Sequence, residues 1–176
     1  RWFAGDEVYG QDPTLRRQLR ERALGYVVAV AASHRLTIGI GVRRAVDLAV
    51  RPDLRWQRLS AGNGAHGHRW YDWALLDVHS RDRDQDANGG HHALLIRRNC
   101  TTRELAFYRT WSPTPVSLQT LVTVAGRRWT IEEAFQTGKG LTGLDEHQVR
   151  RWTSWRRWTV LAMLAHAILT VLAATA

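Results

Sequence analysis

Hydrophobic and polar positions alternate between two periods along the chain, and the switches mark its elements. RWFAG, residues 1–5, reads as the end of a strand that opens into a loop around Asp6. DPTLRRQLRERALG, residues 12–25, has helical spacing, with Asp12 as N-cap, Pro13 in the first turn and Gly25 as the stop. YVVAVAAS, residues 26–33, is a continuous β-branched run and predicts a buried strand. Strand, helix, strand is the grammar of an α/β sheet.

The middle of the chain is different. RRAVDLAVR (43–51) predicts a short helix and GNGAHGH (62–68) a loop. RWYDWALLDVH (69–79), HALLIRRN (92–99) and ELAFYRT (104–110) predict three strands, with SRDRDQDANGG (80–90) as a polar loop between the first two. After Pro113 the pattern is helical. Ser117 caps a helix to about Gly126, RRWTIEEAFQTG (127–138) follows as another, and GLDEHQ (143–148) is a loop. A long helix then runs from about Val149. Its run TVLAMLAHAILTVLAATA (159–176) suits a buried helix or a membrane span by length, and His166 within it argues for the former.

Composition narrows the partner. The 176 residues are enough for one domain with an insertion, and the net charge is +9. Nearly all the basic residues are arginine, whose fork pairs well with phosphate oxygens, so a polyanion such as nucleic acid is the expected partner. Cys100 is alone, which excludes a disulfide framework and suits a reducing cytoplasm. The chain starts without methionine and within strand-like sequence, so a fragment is expected.

One cation breaks the arginine rule. Lys139 is the single lysine, and it follows Arg128 and Glu132 in RRWTIEEAFQTGKG. Positions four and seven apart share a helix face, so a helix reaching that far presents a carboxylate between two cations. Ile131 and Phe135 suit the buried side, and Gly138 and Gly140 the loosened end. By spacing alone this is equally a solvated face with an Arg–Glu pair of small energetic value.

The ordered motifs add to the spacing. Arg128, Glu132 and Lys139 in R-x3-E-x6-K, with GDEVYG (5–10), AGRRWTIEEAFQ (125–136), TGLDEHQVRRWTSWRRW (142–158) and LAMLAHAIL (161–169), resemble bacterial insertion-sequence transposases of the DDE type, in the branch whose motif is Tyr-x2-Arg-x3-Glu-x6-Lys. The resemblance covers nearly the whole chain. It implies a ribonuclease H-like α/β core of the retroviral integrase superfamily, divided as 1–49 (partial core), 50–112 (β-rich insertion) and 113–176 (helical part). It implies DNA strand cleavage and transfer at element ends, with Mg²⁺ or Mn²⁺. Asp6 matches the second catalytic aspartate and Glu132 the glutamate, both as metal ligands, while Arg128 and Lys139 hold DNA phosphates. The tyrosine position holds Ala125, and the family's first aspartate has no match, so this chain alone is expected to be inactive. The complete enzyme is expected to act as a homo-oligomer on DNA in the cytoplasm, with no membrane. Glu133 and Glu7 are the rivals of Glu132 and Asp6; the spacing to Lys139 favours Glu132.

Three further groups are candidates. Trp70 and Trp73 suit base stacking, with Arg69 on phosphate, although two residues three apart on a strand face opposite sides and at least one belongs to the core. In QVRRWTSWRRW, Arg150 and Arg157 are seven apart on a helix start, interleaved with Trp152, Trp155 and Trp158. His66, His68, His91 and His92 lie in expected loops, where surface placement is favoured over zinc. The rival functions are a basic DNA-binding remnant without catalysis, a metal-dependent nuclease outside transposition, and a membrane-associated basic protein.

Overall fold

The computed structural model describes residues 1–38, 41–64, 67–78, 89–148 and 150–175. The chain divides into two compact units, Arg1–Arg128 and Trp129–Ala176. The first is built on a six-stranded mixed sheet in the order β1-β2-β8-β7-β6-β5. Strands β1 (Trp2–Gly5) and β2 (Gly25–Val30) are parallel, joined through helices α1 (Glu7–Gln11) and α2 (Pro13–Glu21). Strands β5 (Gln57–Gly64), β6 (Gly67–Asp77), β7 (His91–Asn99) and β8 (Leu105–Ser112) are antiparallel neighbours, and β8 pairs with β2. A separate hairpin, β3 (Arg35–Ile38) and β4 (Gly41–Arg44), leads into the single turn of α3 (Ala45–Leu48).

The alternation of side chains divides the core between the two sheet faces. Val27, Trp73, Leu95 and Tyr108 pack on one face with Leu121, Val122, Val124 and Ala125 of helix α4 (Leu118–Thr142). On the other face, Leu94, Ile96 and Phe107 pack with Leu36, Ala45 and Leu48, while Tyr26, Val28 and Trp111 pack with Leu19 of α2.

Several boundaries differ from expectation. Asp12 caps α2 as predicted, accepting from the Thr14 and Leu15 amides at 2.8 and 3.2 Å. The helix stops before Gly25, however: Ala23 adopts a positive φ of 51°, and Gly25 already belongs to β2. GNGAHGH is not a free loop, because most of its described residues extend β5 and β6 as a hairpin. The last residue of the predicted strand 69–79 and residues 80–88 of the polar loop are outside the described residues.

The predicted break at Gly126 is absent. Ser117 caps α4 as expected, with its Oγ 3.2 Å from the Thr120 amide, and the helix runs without interruption to Thr142. Gly126 serves close approach instead: a Cβ there would lie 1.9 Å from the carbonyl oxygen of Ala61. Gly138 and Gly140 are also within the helix, and Gly143, with φ 59°, ends it.

In the second unit, α5 (Trp152–Thr175) follows the end of α4. The expectation of a buried C-terminal helix fails. Leu161, Met163, Leu164, Ile168 and Leu172 are exposed, and Ala162 is the one buried residue among those described in α5. This helix is long and apolar enough to cross a membrane, a criterion that helices of soluble proteins also meet. Ile131 and Phe135, expected to be buried, are exposed as well and line a shallow apolar groove of about 310 Å³ with Leu144, Met163 and His166.

Two outcomes test this packing. Alanine has the better helix propensity by about 1 kcal/mol, but overpacking against backbone outweighs it, so Gly126→Ala destabilises the first unit by about 1–3 kcal/mol in urea denaturation. Burial, then the charges of Arg109 and Arg16, lower His34 from 6.5 to about 4. The unfolded chain therefore takes up this proton first, and the stability His34 contributes is lost as pH falls from 6.5 towards 4. Denaturation at pH 7 and pH 4.5 shows that loss, and His34→Gln reduces it.

Candidate active site

Asp6 stands where β1 ends, at the N-cap of α1 rather than in an open loop. Its Oδ1 accepts from the Val8 and Tyr9 amides at 3.0 and 3.4 Å. Both bonds fall on one oxygen, so Oδ2 keeps its lone pairs for a ligand. These bonds also fix the carboxylate's direction, which a metal ligand requires. Glu7 is exposed and accepts from the side-chain Nε2 of Gln11 at 3.0 Å, the behaviour of a surface residue.

Arg128, Glu132 and Lys139 all stand on the uninterrupted backbone of α4. Arg128 closes the first unit; Glu132 and Lys139 belong to the second. Glu132 and Glu133 are both half-buried. Lys139 is exposed and lies 3.7 Å from Asp145, a surface pair of low energetic value. Ala125 is buried in the core beside Val122, so the tyrosine position of the motif supplies no hydroxyl.

The insertion residues separate by face. Trp73 is fully buried, donating its indole N–H to the Leu59 carbonyl at 3.3 Å, and is the core member of the tryptophan pair. Trp70 is 52% exposed and free to stack. Arg69 reaches the carbonyls of Ala61 and Gly126 at 3.4 and 3.3 Å, which makes it a brace at the point where α4 meets the sheet.

At the start of α5 the expected helical stripe is incomplete. Arg150 precedes the helix, so the seven-residue spacing to Arg157 does not place the two on one helical face. Both are exposed. Trp152 and Trp155 stack at 5.0 Å with 17° between planes, and both are exposed. Trp158 bonds the Gly143 carbonyl at 2.9 Å. Of the histidines, His66 is outside the described residues, while His91 and His92 stand on β7 rather than in a loop, His92 buried.

Residues 1–168 match the family described as Transposase DDE domain. The chain belongs to the DDE transposase family. It matches no curated protein. The family implies a ribonuclease H-like fold, which the mixed α/β sheet with its parallel β1–β2 pair suits, and it implies action on DNA.

For this transposase domain the donor chemistry suits a hard divalent cation, since Asp6 and Glu132 offer carboxylate oxygens. No group of three metal-ligating side chains is assembled among the described residues. One charged cluster escaped the sequence. Asp72, 8% exposed, is bonded by Arg58 Nε at 3.1 Å and by Arg98 Nη2 at 3.2 Å, with Arg103 at 3.7 Å. Burial pushes its carboxyl up, but the bonds from Arg58 and Arg98 and their charges outweigh this and hold it below the ordinary carboxylate value. The available signal was the register, which sets Arg58 and Arg98 directly across from Asp72 on either side.

Proposed function

We propose that this domain performs metal-dependent DNA strand cleavage and transfer at the ends of an insertion sequence. The observation that carries the reading is the family match over residues 1–168, with Asp6 at a strand end and Glu132 on a continuous helix. Asp6 and Glu132 are the metal ligands. Mg²⁺, or Mn²⁺ in its place, supplies activation of the attacking oxygen and stabilisation of the leaving one. Arg128 and Lys139 hold phosphates beside them through charge-assisted hydrogen bonds. Trp70 stacks on an unpaired base, Arg69 fixes the strand that carries it, and Arg150 and Arg157 contact the DNA backbone. The division is 1–49 core, 50–112 insertion and 113–176 helical part. The enzyme works in the cytoplasm as a homo-oligomer on DNA, and this chain by itself, with two matched carboxylates, binds DNA without cutting it.

A second reading is a basic DNA-binding remnant, favoured by the net charge of +9 and the exposed arginines and tryptophans at the start of α5. Metal dependence separates the two. In the first reading Mn²⁺ tightens binding of a labelled duplex by about tenfold, a typical coupling between two ligands. Asp6→Asn or Glu132→Gln removes that increment and leaves metal-free affinity in place. Titrations by fluorescence anisotropy read both. Wild-type affinity indifferent to Mn²⁺ contradicts the catalytic reading and supports the remnant.

A further inference from the structure

The cluster around Asp72 lies outside every motif of the transposase signature, and it has a charge imbalance. Two other arginine–aspartate pairs in the first unit are matched one to one: Arg44 with Asp47 at 2.8 Å, and Arg51 with Asp53. Asp72 instead gathers Arg58, Arg98 and Arg103, leaving two positive charges in excess. The arrangement is braced. Asp72 is buried at the middle of three strands, and the Arg98 guanidinium lies 3.9 Å over the ring of Trp56.

The other two guanidiniums are open. The side chains of Arg58 and Arg103 are 61% and 60% exposed. Arg58 spends its Nε on Asp72, and Arg103 stands at ion-pair rather than hydrogen-bond distance. Each therefore keeps N–H donors turned to water. Three like charges gathered on one carboxylate repel one another, and an anion seated between the outer two relieves that repulsion. Alternation also puts Trp70, two residues before Asp72 on β6, on the same sheet face.

We propose that Arg58 and Arg103, oriented by Asp72, form a phosphodiester-binding site for a DNA strand where the two guanidiniums reach solvent beside Asp72. This rests on the reading of the chain as a DNA-acting transposase. Asp72 acts as a positioning residue; the two arginines make the contact.

Salt-dependent anisotropy on the full chain with a labelled duplex tests it. Arg58→Gln and Arg103→Gln each lower the slope of log affinity against log salt by about 0.9, the value for one lost phosphate contact. Arg58→Lys, which keeps the charge, keeps the slope. Arg44→Gln, from a neutral pair, changes neither slope nor affinity, and thermal unfolding shows that all four variants are folded at the temperature of the titration. Wild-type slope and affinity in both glutamine variants overturn the proposal while leaving DNA binding intact, as does an equal loss in Arg44→Gln. A wild-type chain that binds no DNA overturns the transposase reading together with it.

Discussion

The structure depends on one backbone approach, at Gly126. There α4 comes so close to the carbonyl of Ala61 that no side chain fits, and Arg69 bonds the carbonyls of both residues. Around this point the helix buries Leu121, Val122, Val124 and Ala125 against Trp73, Leu95 and Tyr108. A close backbone contact fixes the rotation of a helix as well as its distance, because neighbouring side chains must then fill the space on either side. The turn that carries Arg128 follows two residues later, so packing at Gly126 sets the direction in which that cation is presented. The motif residues thus stand on the continuation of a helix whose first turns are core, Arg128 and Glu132 half-buried and Lys139 exposed.

The same constraint explains the split among the candidate DNA contacts. A sheet covered by α4 on one face cannot offer that face to nucleic acid, and Trp73 and Arg69 belong to it. On the other face, packed elsewhere under Leu36, Ala45 and Leu48, Trp70 and the side chains of Arg58 and Arg103 beside Asp72 reach solvent. The net charge of +9 is therefore not spread evenly. Matched pairs contribute nothing to it, and part accumulates where one carboxylate serves three guanidiniums.

Much of the fold was legible because local pattern and tertiary packing agreed. Asp12 and Ser117 cap helices through their own side chains, and Tyr26, Val27 and Val28 form a buried strand because β-branched and aromatic residues suit one. Where the sequence misled, a residue served a purpose that local rules do not encode. Gly126 reads as a helix stop but supplies closeness, and β5, with Gly62, Asn63 and Gly64, reads as a loop but pairs along β6. The apolar run of α5 was legible as a helix, yet its exposure was not, since composition does not say what covers a surface. Asp6 and Glu132 are candidates by motif order; the Asp72 cluster was missed because its partners are 14 and 26 residues away and meet only through strand register.

The central claim is that Asp6 and Glu132 serve one metal site. The direct measurement is a crystal structure of the chain soaked in Mn²⁺. The account predicts anomalous density bridging the Asp6 and Glu132 carboxylates, with Arg128 and Lys139 at its rim and, where two ions bind, a separation of about 3.5–4 Å. A Glu132 carboxylate directed into solvent away from Asp6, with no metal shared between them, contradicts it.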